Sequence, residues 1–232
     1  MRALHHLHLA KIFLHHRSEN RFFSASYIKM CYTVDASIRA FLINATACAV
    51  LFFTKKSREA KILAGFFLFV GLMQLWDALL WTHPSGTREN LFATRGAMIF
   101  NHLQPIVLAL LIGLTKLKRE SAWIILLYIV LIIPYSVRSW GAVKGTAPGP
   151  GGSLVWEWNR QPNAGPVYGV FLVALCVLFA QNISRPVGIF AAILSAVSMW
   201  WSHLAYSKQS STGRFWCYFA SFAPLLMIPL VQ

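Results

Sequence analysis

Beyond residue 30 the chain alternates long apolar runs with short turns that hold most of its charge. Seven runs stand out: Ala36 to Thr54, Ile62 to Thr82, Gly96 to Thr115, Ser121 to Val137, Pro166 to Asn182, Val187 to Tyr206 and Gly213 to Val231. Each lies close to the ~20 residues that a helix needs to cross a ~30 Å hydrocarbon core. None shows the period-two alternation of a barrel strand, and a helix satisfies its backbone polar groups within its own segment. The pattern predicts an all-α fold, an integral membrane bundle of about seven transmembrane helices formed by residues 30–232 as one domain. The one long connection, Trp140 to Pro166, is rich in glycine and proline and then reads VWEWNRQP. Trp156 and Trp158 alternate about Glu157, which predicts two interfacial indoles with the carboxylate turned to water.

Two of the runs carry polar side chains that lipid cannot satisfy. Gln74, Asp77, Asn101, His102 and Gln104 lie between Leu68 and Leu110, and an unpartnered polar group at that depth costs several kcal/mol. On a helix Gln74, Asp77 and Trp81 fall at i, i+3 and i+7 and share a face, as do Asn101 and Gln104, with Pro105 freeing a backbone carbonyl beside them. In the sixth run Ser195, Ser198 and Ser202 form a small-residue stripe suited to close helix contact, and His203 shares another face with Trp200. Gln74, Asp77, Trp81, Asn101, His102, Gln104 and His203 are therefore the candidate ligand- or ion-binding residues, in a pocket between the second, third and sixth runs.

Composition supports the membrane reading. Of 232 residues 57% are hydrophobic and 12% charged, and mean hydropathy is +0.56, too apolar for a soluble domain. The formal charge of +14 does not point to nucleic acid, because the cations sit in short turns rather than in a stripe with interleaved aromatics. The lipid bilayer, with its anionic head groups, is the expected partner of those turns. KKSREAK after the first run and KLKRE after the third place these turns in the cytoplasm, with Met30 outside and the C-terminus inside. Trp81, Trp123, Trp140, Trp200, Trp201 and Trp216 lie near run ends and read as interfacial belt. The glycosylation patterns Asn44-Ala-Thr and Asn182-Ile-Ser lie in or against runs and are expected to go unused.

Residues 1–29 differ from everything after them. They hold five of the eight histidines, five basic residues and one acidic residue. They read either as a targeting segment or as an over-extended start, disordered in both cases; a mitochondrial presequence would imply the inner membrane. From Met30 the chain carries Met30, Cys31, Tyr32 and Ser37, then Met73, Gln74, Leu75, Asp77 and Trp81, then Asn90, and then Gln104 and Pro105. In these motifs it resembles an uncharacterised family of small multi-pass membrane proteins of giant DNA viruses and algae. Thr33 stands where that family has Ser, and Asp77 where Glu is commoner. The resemblance covers the first half of the chain, implies a start at Met30 and brings no known activity.

Several classes are excluded by missing residues. The last run, GRFWCYFASFAPLLMIPLVQ, has no Schiff-base lysine and no His-x-x-x-His, and neither Asp-Arg-Tyr nor Asn-Pro-x-x-Tyr occurs where a G-protein-coupled receptor has them. There is no P-loop, no G-x-S-x-G and no dinucleotide fingerprint, so no cofactor is implied. Asp77, His102 and His203 lack the local spacing of a metal site, and the four cysteines, with no CxxC pairing, read as buried apolar residues. Three functions stay open: a bundle that binds or passes a small solute, ion or proton through the polar pocket, an intramembrane lipid-modifying enzyme using Asp77 and His102 as acid and base, and a structural scaffold. Internal polarity without a nucleophile motif favours the first. The topology is checked by labelling single cysteines from outside: Gly151→Cys is expected to react and Ser57→Cys to be protected, and the reverse pattern inverts the orientation.

Overall fold

In the computed structural model, residues 33–149, 154–206 and 214–231 are described. The expectation for residues 1–29 lies outside them. The described chain forms α1 (Val34–Thr54), α2 (Arg58–Gly71), α3 (Met73–Thr82), α4 (Arg88–Ile112), α5 (Arg119–Ala142), α6 (Ala164–Asn182), α7 (Arg185–Tyr206) and α8 (Arg214–Met227). Among the described residues six stretches are long and apolar enough to cross a membrane, α2 and α3 together making one of them. Three helices begin on the same local signal, a hydroxyl followed two residues later by an acid. Thr33, Ser57 and Thr87 accept the backbone N–H of Ala36, Ala60 and Asn90 at 3.1, 3.2 and 3.2 Å, and Asp35, Glu59 and Glu89 sit in the positive first turns. These caps start the helices ahead of the apolar runs, so α2 takes in part of the basic turn and α4 begins eight residues before Gly96. α4 stops at Gly113, whose φ of 92° is open to glycine and whose N–H closes the last turn onto Ala109 and Leu110.

The helices pack in a ring. α1 lies against α2, α3 and α8; α4 against α2, α3, α5 and α6; and α7 joins α6 to α8. The α2–α3 span is the most enclosed, 61% of its window buried against 28% for α5. Its Phe66 and Phe67 meet Phe179 of α6 at 5.3 and 6.2 Å between ring centroids. The α3–α4 pair forms a hairpin, closed where Trp76 covers Gly96 so tightly that a Cβ there would lie 2.5 Å from the indole. Ser195, Ser198 and Ser202 of α7 are fully buried, as their stripe predicted.

Polar side chains tie the helices together inside the apolar bundle. Pro224 interrupts α8 and removes the N–H that Ala220 would otherwise receive. Asn44 of α1 replaces it, its Nδ2 donating to the carbonyls of Ala220 and Ser221 at 3.2 and 3.3 Å. The same amide lies over Gly71, where a Cβ would collide with it, and the span breaks at the next residue, Leu72. At one end of the bundle Asn182 donates to Ser121 at 2.7 Å and Ser121 to Gln181 at 2.9 Å. Neither glycosylation pattern has a free asparagine amide.

The connection after α5 folds over the opposite end. Ala147–Pro148 pairs antiparallel with Leu154–Val155. Asn90 holds this loop: its Oδ1 accepts from the Thr146 N–H at 2.8 Å and its Nδ2 donates to the carbonyls of Thr146 and His83 at 2.9 Å. Gly145, at φ 152°, passes so close that a Cβ would sit 2.7 Å from that oxygen. The expected interfacial indoles turn inward instead. A 3-10 turn over Glu157–Arg160 replaces the alternation, so Trp156 and Trp158 stack at 5.2 Å and are buried, and Glu157 accepts the N–H of Lys144 and Gly145. Trp216, expected in the belt, is also buried. Asn44→Ala is expected to destabilise the bundle by about 1–3 kcal/mol, the cost of stranding buried carbonyls. Equilibrium unfolding in detergent measures it, and a change within error would show the Asn44 bonds to be dispensable.

Candidate functional site

Three neighbouring helices converge on His102. Helical spacing brings Asn101 and His102 of α4, Tyr128, Tyr135 and Ser136 of α5, and Tyr168 and Phe171 of α6 to one region. His102 is buried, and both ring nitrogens are engaged: Nδ1 lies 2.8 Å from Ser136 Oγ and Nε2 3.1 Å from the Tyr168 hydroxyl. Tyr168 donates to Asn101 Oδ1 at 3.1 Å, and Tyr128 donates to the backbone carbonyl of His102 at 2.7 Å. The rings of Tyr135 and Tyr168 stand 5.6 and 6.0 Å from the imidazole, and Phe171 lies 5.8 Å from Tyr168. Tyr135 also donates to the carbonyl of Trp158, linking this box to the loop above it.

The donors and acceptors set a direction along this chain. The Asn101 oxygen only accepts, so the Tyr168 proton points at it, and Tyr168 receives the Nε2 proton of His102. Nδ1 then has a lone pair and accepts from Ser136. The order is Ser136 to His102 to Tyr168 to Asn101, with each bond polarising the next.

Tyr168 is the member of the chain that reaches a cavity. A groove of about 370 Å3 between α6 and α7 is lined by Asn159, Ala164, Gly165, Tyr168, Gly169, Leu172, Met199, Trp200 and His203. Its size falls within the range of about 300–1,000 Å3 typical of small-molecule sites. Gly165 and Gly169, one helical turn apart, form an open wall, since a Cβ at either would meet nothing within 4 Å.

The candidate residues read from sequence whose partners are identified turn to more than one neighbour. Asn101 and His102 meet through Tyr168, and His203, exposed, shares the groove with Tyr168. Gln104, expected to act with Asn101, turns to α8 and accepts from Trp216 Nε1 at 2.8 Å. Gln74 and Asp77 are buried on α3 and each takes part in an interaction, and Trp81 packs half-buried beside the core on the same helix. Neither His102 nitrogen is left to form an acid–base pair with Asp77. Among the described residues no cluster of histidine, cysteine and carboxylate side chains is arranged to hold a metal ion. Tyr168 and Ser136 were not singled out by sequence; the available signal was a hydroxyl inside an apolar run, which tyrosine and serine commonly supply without any site.

Compared with known proteins, the chain matches no family model, no curated protein and no solved structure. The His102 chain is expected to behave as one unit. In a double-mutant cycle, Ser136→Ala and Tyr168→Phe should show a coupling of about 0.5–3 kcal/mol in unfolding free energy. Simple additivity would mean that the bonds do not act together.

Proposed function

We propose that this chain is an integral membrane protein with seven crossings that binds a small ligand in the groove between α6 and α7. Six stretches have the length and apolarity to span a bilayer. α8 is the shorter seventh, its Trp216, Ala220, Ala223 and Met227 buried against the rest. The end that carries Lys55, Lys56, Arg58, Lys61, Lys116, Lys118, Arg119 and Arg185 is cytoplasmic, because short basic turns resist translocation. Those turns are drawn together: Arg58 donates to the carbonyl of Ile112, Ser184 N–H to Glu59 at 2.8 Å and Lys118 N–H to Asn182 at 3.1 Å. The groove then lies toward the outer surface.

The observation that carries the ligand reading is the use made of the buried polar groups. Asn44, Asn90 and Asn182 are accounted for as helix and loop ties. His102, Asn101 and Ser136 together hold one side chain, Tyr168, whose ring forms the wall of a ligand-sized cavity. A side chain fixed from behind by two hydrogen bonds is a preorganised wall, which lowers the ordering cost of binding. Binding, more than passage, suits this geometry, since the polar chain ends on Asn101 and Ser136 within the bundle. Native mass spectrometry of the protein purified in mild detergent tests the reading. A small-molecule adduct should be present in the wild type, lost in Gly169→Trp, which fills the groove, and kept in Gly141→Trp, which projects into open space on α5. An adduct indifferent to Gly169→Trp, or none at all, would remove the basis for the proposal.

A further inference from the structure

The lining of the groove changes character along the bundle axis. α6 starts and α7 finishes at the loop-covered end, and each residue advances 1.5 Å. Asn159, Gly165 and His203 therefore lie at the top, Tyr168, Gly169, Met199 and Trp200 about one turn below, and Leu172 about one turn further in. Polar groups with both donor and acceptor capacity meet the interface, and apolar ones meet the bilayer interior. The groove is also open sideways: Gly165, Gly169, Trp200 and His203 are all exposed on the outer surface of the bundle. Its described lining has no lysine, arginine or carboxylate, so a head group with a fixed charge would be desolvated there without a counter-charge. Tyr168 contributes its ring to the wall while its hydroxyl is held inward by His102 and Asn101.

Building on the groove as a ligand site, we propose that its occupant is a single-chain amphiphile with an uncharged, hydrogen-bonding head, taken sideways from the outer leaflet. The head sits between Asn159 and His203. The chain runs down the glycine face of α6, over the Tyr168 ring and beside Trp200 and Met199, and ends at Leu172. Gly165 and Gly169 are the residues that leave room for it. A volume of about 370 Å3 suits one such chain and is small for the two chains of a diacyl lipid.

The probe is a monoacylglycerol with a dibrominated chain, added to the purified full-length protein in detergent while tryptophan emission is followed, since bromine quenches indoles it touches. Saturable quenching is expected, and replacing the groove indole by Trp200→Phe should remove most of it. Gly169→Leu should weaken the binding by about tenfold, the scale of a lost methylene-rich contact, and His203→Leu, at the exposed rim, by a smaller factor. Gly141→Leu should leave it unchanged. The thermal midpoint of each variant reports folding, and the two groove variants, on different helices, do not depend on each other. Equal quenching in Trp200→Phe, or insensitivity to both Gly169→Leu and His203→Leu, overturns the amphiphile assignment. So does stronger binding of the phosphorylated analogue, whose head is charged. If the assignment fails while a chainless adduct remains sensitive to Gly169→Trp in mass spectrometry, the groove is still a ligand site of another chemistry; if that adduct is absent too, both proposals fall.

Discussion

The apolar interior of a helix bundle offers side chains no hydrogen bonds, and the arrangement of this bundle follows from that. A carbonyl freed by proline, an asparagine amide or an imidazole inside an apolar helix must find its partner on another helix. Asn44 does so on α8, where Pro224 has left Ala220 without its helical donor, and the contact sets α1 against α8 over Gly71. His102 finds partners on α5 and α6 through Ser136 and Tyr168. Each such bond is modest in net energy, but breaking one strands a buried group, so the helix positions are specified more sharply than apolar packing alone would specify them.

Close approach of backbones is the counterpart of these bonds. Gly71 admits Asn44, Gly96 admits the Trp76 ring, and Gly145 passes under Asn90 as the loop is pinned over the bundle end. Gly165 and Gly169 differ from them because nothing occupies the space they leave. Gly141 leaves open space as well; what makes a groove at Gly165 and Gly169 is the Tyr168 ring held beside them. The rigidity comes from the same polar chemistry that ties the helices, applied here to one ring.

The aromatic residues divide along the same lines. Trp123, Trp200 and Trp201 are exposed on the outer surface, whereas Trp156, Trp158 and Trp216 are buried. Their positions near run ends are alike in sequence. What separates them is tertiary: Trp216 meets Gln104, and the Glu157 carboxylate caps the N–H groups of Lys144 and Gly145, which winds the loop and turns its indoles inward.

Local signals determined the helical class, the place of the apolar spans though not all of their ends, their capped starts and the buried serine stripe of α7, because hydropathy, period and capping act over a few residues at a time. They also marked Asn101 and His102 as groups in need of partners. Which partners these would be was not legible. Asn101 and Gln104 lie on one side of α4 by spacing alone, yet one turns to Tyr168 on α6 and the other to Trp216 on α8, a division that depends on which neighbouring side chain reaches each amide. Tyr168 acquires its place from the packing of α4, α5 and α6, and the groove it lines is formed jointly by α6 and α7 beside two glycines, a relation between helices that no single stretch of sequence contains.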